Sequence, residues 1–148
     1  FSEGTSSNDW VELFNPTDSS VDVSGWTITD NNSSDTLPLS VTPIPAGGYA
    51  VIIASGSTVT VPGSAIRIEL SSTTIGNGLA IGGDKVIIND LSSTSVDAVS
   101  WGSDTSVFPT PPAAPAASKS LARLPNGTDS DTASDWSSSS SPTPGVGN

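Results

Sequence analysis

The sequence predicts an all-β domain, built as a sandwich or a barrel. Runs of about five to seven residues alternate apolar with polar side chains and are rich in valine, isoleucine, threonine and tryptophan, as half-buried strands are. Glycine, proline, asparagine, aspartate and serine interrupt these runs about every ten residues, which is typical of β-sandwiches. No stretch shows the apolar period of an amphipathic helix.

The first half of the chain supplies the clearest strands. Residues 10–15, WVELFN, are predicted to form a strand that ends where Pro16 breaks the ladder. Gly25 then forms a corner ahead of a second alternating strand over residues 26–30, WTITD. Residues 49–54, YAVIIA, are the most hydrophobic run, and their length and branching favour a central strand covered on both faces.

The next part of the chain predicts further strands and one hairpin. Residues 65–70 alternate apolar with charged or small side chains, which favours a strand over an isolated turn of helix. Residues 75–81 and 85–90 flank a Gly-Gly-Asp turn, so we expect them to be antiparallel neighbours. Residues 95–102, SVDAVSWG, form another alternating strand.

The chain is expected to be a single domain over residues 1–148, with three irregular segments. Residues 1–9 are polar and are predicted to form a leading loop. Residues 103–120 are rich in proline and alanine and should form an extended surface loop. Residues 137–148 are a closing segment rich in serine, proline and glycine, and its serine run, taken alone, predicts a flexible tail.

The composition removes several classes of function. The chain has no cysteine and no histidine, which excludes disulfides, zinc–thiolate sites, thiol catalysis and a Ser-His-Asp triad. No Gly-x-Ser-x-Gly elbow occurs, and no motif supports a Ser-Lys dyad. The glycines between residues 76 and 83 lie between strands, which is the wrong context for a phosphate loop. We therefore expect no catalytic residues and no enzymatic activity.

The charge balance argues against nucleic acid as a partner. Fifteen acidic residues against four basic ones give a net charge of -11. Only Arg67, Lys85, Lys119 and Arg123 are available to neutralise phosphates. The acidity permits binding of a hard cation through oxygen ligands, although a solvated acidic surface is the simpler explanation. No apolar run is long enough to span a bilayer.

Strand alternation assigns a candidate core. Val11 and Leu13 share the face of the first strand that we expect to be buried, whereas Glu12 lies on the other face between two aromatic residues. Trp26 is predicted to be a core side chain rather than a binding aromatic, and Trp136 is expected to fold back and anchor the late loop. The predicted structural core comprises Val11, Leu13, Trp26, Ile28, Val51, Ile53, Val86, Ile88 and Val99.

The late loop contains a candidate metal site. Asp129, Asp131 and Asp135 alternate with hydroxyl residues, and such oxygen ligands suit calcium. The loop lacks the glycine and the terminal glutamate of an EF-hand. Aspartates that close turns in a solvated loop would explain the same pattern. We expect no cofactor, with calcium at these three aspartates as the alternative.

Five motifs occur along the chain in a recognisable order. They are WVELFN at residues 10–15, VDVSGWTITD at 21–30, IPAGGYAVI at 44–52, GNGLAIGGDKVIIND at 76–90 and VDAVSWG at 96–102. In content and order they resemble the lamin-tail domain, an immunoglobulin-like β-sandwich known from nuclear lamins and from many secreted or surface-attached bacterial proteins. The resemblance implies a sandwich of two mostly antiparallel sheets with a long irregular C-terminal segment.

The end of the chain resembles the bacterial branch of that family. SLARLPNGTDSDTASDW at residues 120–136 is followed by SPTPGVGN at 141–148, which is similar to the arginine-proline-glycine segment and proline-glycine-asparagine ending of that branch. Family members usually begin with an apolar strand just ahead of the position of Phe1, and this sequence lacks it. Either this sequence is trimmed and begins after that strand, or the sheet edge is open or filled by another segment.

Two functions follow from these observations. The first is a non-catalytic structural or protein-interaction module of a secreted or cell-surface protein, whose partner is another protein or a surface polymer. The second is a calcium-dependent adhesion or carbohydrate-binding sandwich, for which the acidic loop is the argument. The abundance of serine, threonine, glycine, proline, asparagine and aspartate, with few lysines, indicates an extracellular or cell-surface location.

Overall fold

The computed structural model describes residues 6–148, and this part of the chain confirms the predicted all-β sandwich. The helical elements of the described residues are two single 3-10 turns, Ser6–Asn8 and Ala133–Asp135. The strands are β1 (Trp10–Phe14), β2 (Thr27–Thr29), β3 (Ser34–Thr36), β4 (Tyr49–Ile53), β5 (Ile66–Glu69), β6 (Gly83–Asn89), β7 (Ser95–Gly102), β8 (Ser120–Arg123) and β9 (Trp136–Ser139).

Two sheets and a hairpin make up the architecture. The first sheet has three strands in the order β1-β4-β5, and the second has four in the order β3-β2-β6-β7. Every pairing in them is antiparallel except the parallel pair β4–β5. The strands β8 and β9 form a separate antiparallel hairpin. Strands β1 and β7 are therefore edge strands of their sheets.

The core lies between the two sheets because each contributes one apolar face. Ala50 and Ile52 of β4 and Ile68 of β5 meet Ile28, Val86 and Ile88 of the four-stranded sheet. Trp101, at the end of β7, is 1% exposed and donates its indole N–H to the carbonyl oxygen of Ala80 at 3.0 Å. A tryptophan buried to this depth usually has such a partner for its N–H.

Strand β4 is buried on both faces, as its continuous apolar sequence predicts. Val51 and Ile53 are fully buried on the face opposite to the core. The C-terminal closing segment lies over that face, where Gly145 donates its amide to Glu12, the register partner of Val51. The serine run is therefore not a tail, because residues 137–139 belong to β9 and the chain beyond them packs back onto β1.

The predicted hairpin of residues 75–81 and 85–90 is wrong. Residues 75–81 form no strand, and β6 pairs instead with β2 and β7. Carboxylates take the place of a ladder: Gly76 donates its amide to Asp35, Asn77 to Asp30, Leu79 to Asp9 and Ala80 to Asp84. Since these amides have partners, the segment is stable without a neighbouring strand.

The irregular segments agree with the sequence except at their ends. Residues 103–119 lack regular strands, and β8 begins at Ser120. In the predicted leading loop, residues 6–8 form a 3-10 turn, while residues 1–5 lie outside the described part of the chain. Among the described residues no helix has the length and apolar character that crossing a membrane requires.

Candidate binding cleft

A cleft of about 490 Å³ opens between the two sheets on the side of β1, β7 and β8. Its lining is mainly apolar and includes Val11, Leu13, Val99, Leu121 and Trp136. A sealed dry cavity of that volume would cost about 12 kcal/mol, at roughly 24 cal/mol per Å³, which is as much as the whole stability of a domain. The cleft must therefore be open to solvent or to an occupant, and its volume is that of a ligand site.

The edge of β1 borders the cleft. All residues from Trp10 to Thr17 line it, although their side chains alternate between the two faces of the strand. Consecutive residues can border one cavity only when the strand turns its edge to it. In the sheet order β1 pairs with β4 on one side, and its other side has no strand partner among the described residues. The cleft thus combines an apolar interior with a strand edge that has no strand neighbour within residues 6–148.

Arg123 organises the polar rim of the cleft. Its guanidinium lies 2.8 Å from the Asp97 carboxylate of β7 and 3.0 Å from that of Asp129, and it stacks over the Trp136 ring at 4.8 Å. The side chain is only 15% exposed, so the charge pairs and the stacking compensate its desolvation. These contacts tie the β8–β9 hairpin to β7 and to the late loop, and so hold one wall of the cleft in place.

The surroundings of Asp97 raise the pKa of its carboxyl. Burial raises the pKa of its carboxyl, and the nearby charge of Asp129 adds to that effect. The Arg123 guanidinium and the amide of Ala98 act in the opposite direction. Burial has the largest effect, so the pKa of Asp97 remains above its usual range.

Glu12 is the second carboxyl at the cleft with a raised pKa. Burial raises its pKa from 4.5 to about 7, although the amide of Gly145, at 2.6 Å, favours the ionised form. The side chain lies on the outer face of β1, opposite to Val11 and Leu13. Glu12, Asp97 and Asp129 leave the cleft with an excess of carboxylates over its one guanidinium.

The three aspartates of the late loop have separate roles in the structure. Asp135 accepts hydrogen bonds from the amide and hydroxyl of Ser130, which lower its pKa, and it closes a capping box with Thr132. Asp129 pairs with Arg123, and Asp131 is exposed at a φ of 54°. Within residues 6–148 no group of three metal-ligating side chains is placed to hold an ion.

The residues predicted as core lie at three kinds of position. Ile28, Val86 and Ile88 are buried between the sheets. Val11, Leu13, Trp26 and Val99 pack against that core but are partly exposed, and all four line the cleft. Val51 and Ile53 are buried on the opposite face of β4 beneath the closing segment. The half-exposure of the second group marks the part of the interior that residues 6–148 leave partly uncovered.

Sequence reasoning did not assign Arg123 or Asp97 to any site. One signal was available, because Arg123 is one of only four basic residues and lies in a short apolar strand. An isolated arginine in such a strand favours a buried pair with a carboxylate. Which aspartate of the many it would meet depends on the β8–β9 pairing, which no local pattern predicts.

Comparison with known proteins identifies a family for most of the chain. The family model described as Lamin Tail Domain matches residues 1–103. No curated protein matches the chain. The matched region includes β1 to β7, and therefore both sheets of the sandwich and the β1 and β7 sides of the cleft.

Proposed function

The chain belongs to the lamin tail domain family, and on that premise we propose that it is a non-catalytic structural or protein-interaction module of a secreted or cell-surface protein. The observation that carries the proposal is the apolar cleft beside the edge of β1 that has no strand neighbour among the described residues. An exposed strand edge next to an apolar groove is a common way to recognise an extended protein segment.

The size and shape of the cleft support binding. Its volume of about 490 Å³ is that of a site for part of a macromolecule or for a small ligand. Val11, Leu13, Val99 and Leu121 are hydrophobic residues that the sandwich itself leaves partly exposed. Covering such surface on binding gives a favourable free energy in proportion to the apolar area removed from water.

The carboxyls at the cleft support binding rather than catalysis. Raised pKa values at Glu12 and Asp97 would suit acid–base chemistry if both carboxyls faced one reacting group. Instead Glu12 accepts the Gly145 amide on the outer face of its sheet, whereas Asp97 is paired with Arg123. Each carboxyl has a structural partner of its own, and structural ion pairs perturb pKa values as well.

Composition and family membership support the proposed secreted or cell-surface location. The chain is rich in serine, threonine, glycine and aspartate and has only two lysines, Lys85 and Lys119. Lamin-tail domains of the bacterial branch occur in secreted or surface-attached proteins, which agrees with this composition. Its net charge of -11 favours solubility and association with basic surfaces.

One experiment separates this function from a calcium-dependent carbohydrate-binding sandwich. The immobilised domain is panned against a random peptide library and probed on a glycan array, each with millimolar calcium and with chelator. The proposal expects enriched peptides whose binding does not depend on calcium. Calcium-dependent retention of glycans without any enriched peptide would replace it by the alternative.

A further inference from the structure

The closing segment contains a tight turn at residues 143–146, Thr-Pro-Gly-Val, which we call the Pro-Gly turn. Val146 donates its amide to the carbonyl oxygen of Thr143 at 3.2 Å, and Gly145 has a φ of +87°. Proline followed by a glycine at positive φ is typical of a type II turn. In such a turn the amide of the glycine takes no part in the internal hydrogen bond, so it can bind another group.

The Pro-Gly turn lies in a fitted site on the outer face of the three-stranded sheet. Gly145 is buried, and its amide donates to a carboxyl oxygen of Glu12 at 2.6 Å. An added Cβ at Gly145 would lie 2.8 Å from the side chains of Pro62 and Ala65, so the site admits glycine and excludes larger residues. Glu12 therefore binds the amide of the turn, and Pro62 and Ala65 select for its glycine.

The rest of the closing segment packs loosely around this contact. A cavity of about 270 Å³ is bordered by Trp10, Pro142 and Pro144. Beyond the turn, Asn148 is exposed and donates its amide to the Asn126 side chain at 3.3 Å, a longer distance than is usual. A segment with few buried contacts and exposed hydrogen bonds opens at a small cost in free energy.

We propose that this site binds a Pro-Gly turn of a protein partner, and that the chain's own turn occupies it as an autoinhibitory contact. The site lies on the outer face of β1, whereas Val11 and Leu13 face the cleft, so this is a second surface beyond the proposed function. The partner replaces a segment that is already bound there, and no strand edge has to be unoccupied. Residues 137–148 carry no charged side chain, so we expect an uncharged segment in which proline precedes glycine.

A partner must compete with a turn that is tethered to the site. Tethering gives the chain's own turn a high effective concentration at the site. The wild type should therefore bind a partner weakly, and loss of the cis turn should raise the apparent affinity. The same tethering argues against a second copy of the chain as the partner. Exchange between copies gains no contact and brings together two chains that each have a net charge of -11.

The test compares two peptides on two forms of the whole chain. One labelled peptide has the sequence of residues 140–148, and its twin has alanine in place of the glycine that corresponds to Gly145. In the protein, Gly145→Ala should eject the cis turn and leave Glu12, Pro62 and Ala65 in place. Fluorescence anisotropy should show at least about tenfold tighter binding of the peptide to Gly145→Ala than to the wild type. The twin should bind Gly145→Ala at least about tenfold more weakly than the peptide, because its added methyl meets Pro62 and Ala65.

Further variants control for backbone strain and locate the site. Gly56 also has a positive φ, of +74°, but no atom lies within 4 Å of an added Cβ, so Gly56→Ala should bind the peptide as the wild type does. Glu12→Ala, added to Gly145→Ala, should weaken peptide binding about tenfold because it removes the acceptor of the turn amide. Asp18→Ala in the same background, at an exposed bend, should leave binding unchanged. Thermal melting checks that each variant is folded.

Hydrogen exchange in the wild type provides a measurement that needs no variant. An excess of the peptide should take the place of the cis turn and accelerate exchange of the Gly145 amide, which Glu12 protects. The twin should leave that exchange unchanged. This measurement decides the matter if Gly145→Ala does not fold.

Several results would overturn this proposal. They are failure of the peptide to bind Gly145→Ala, equal affinity of the peptide for Gly145→Ala and the wild type, equal binding of the peptide and its twin, and a wild-type dimer that the peptide dissociates. The dimer would assign the site to a second copy of the chain. The proposed function fails separately, when the peptide library yields no ligand of the cleft. Such ligands are recognised because Leu121→Trp, which places an indole in the cleft, weakens their binding.

Discussion

The carboxylate of Glu12 in β1 accepts a hydrogen bond of 2.6 Å from the amide of Gly145, 133 residues further along the chain. This contact joins the first strand to the closing segment over the outer face of the three-stranded sheet. Val51 and Ile53, which share that face, are fully buried. A segment rich in serine, proline and glycine therefore completes a hydrophobic layer, and the Glu12 carboxyl that accepts its hydrogen bond is itself partly removed from water.

Glu12→Gln should remove a pH dependence from folding stability. The pKa of Glu12 is about 7 in the folded protein and 4.5 without burial, so the folded state retains a proton that the unfolded chain loses between these values. Its stabilisation is present below about pH 4.5 and is lost as the pH rises through about 7. Relative to the wild type, Glu12→Gln should be neutral at pH 4 and more stable at pH 8 by about 1–2 kcal/mol, a figure reduced for partial exposure.

Urea unfolding of both proteins at the two pH values measures this difference. Glu69→Gln is the matched control, because the amide of Gly56 lowers the pKa of that exposed carboxyl. Its contribution has the opposite sign, so it is present at neutral pH and is lost on acidification. An equal stability difference at both pH values for Glu12→Gln would contradict the raised pKa.

Gly145→Ala should displace the closing segment. Gly145 is buried at a φ of +87°, and a Cβ there would lie 2.8 Å from the side chains of Ala65 and Pro62. Gly56→Ala is the control, since Gly56 has a φ of +74° but no atom within 4 Å of an added Cβ. Both should lose about 1 kcal/mol to backbone strain, and Gly145→Ala should lose a further 1–2 kcal/mol or so to overlap.

Equilibrium unfolding gives the two stability losses, and hydrogen exchange shows where they arise. Amides of residues 145–148 should exchange faster in Gly145→Ala than in Gly56→Ala. Equal losses in both variants would mean that the closing segment does not pack tightly against residues 62–65.

The strands were predicted correctly where the local sequence pattern determines them. The prediction was wrong where side-chain carboxylates, instead of a neighbouring strand, accept the backbone amides. The apolar run 49–54 requires cover on both faces wherever it lies, so its central position in a sheet follows from its sequence alone. Residues 75–81 have strand-like alternation, but their amides are bound by carboxylates distant in sequence. That competition is invisible to periodicity, because it depends on where Asp30 and Asp35 lie in the folded chain.

Asp30→Ala should destabilise the sandwich more than removal of an exposed aspartate. Its buried carboxylate accepts the amides of Asn32, Ser33 and Asn77, each at 2.7 Å. Loss of all three acceptors should cost about 3 kcal/mol, at roughly 1 kcal/mol for each amide left without its partner. Amide exchange at Asn77 should accelerate together with the fall in urea midpoint.

The control for this prediction is Asp22→Ala. Asp22 is exposed and accepts one amide, that of Ser24, at 2.9 Å. Its removal should have a small fraction of the effect, because water can replace an exposed acceptor. Similar losses in the two variants would show that the acidic residues act through net charge rather than as anchors of the irregular segment.

The cleft was less predictable than the fold. The acidic loop was interpreted either as a candidate calcium site or as solvated turns, and neither interpretation includes the pairing of Asp129 with Arg123 that the structure shows. The alternation of residues along a strand predicts which face a side chain lies on. It does not predict which residue of another strand or loop that side chain will contact. The pairing of β8 with β9 brings Arg123 opposite Trp136, and only then do Asp97 and Asp129 meet the same guanidinium.

Arg123→Ala should be the most destabilising change at the cleft, and its effect should depend on pH. Without the guanidinium, Asp97, whose side chain is 36% exposed, lies near Asp129 with no opposing charge, which should cost about 1–2 kcal/mol at neutral pH after allowance for the partial exposure of both carboxyls. The pKa of Asp97, already raised by burial, should rise further, so protonation at pH 4 should relieve part of the loss. Urea unfolding at both pH values measures this change. Arg67→Ala is the matched control, because its pair with Glu69 is exposed and should contribute little at either pH. A loss for Arg123→Ala that is the same at pH 4 and pH 7 would assign its role to packing over Trp136 rather than to charge.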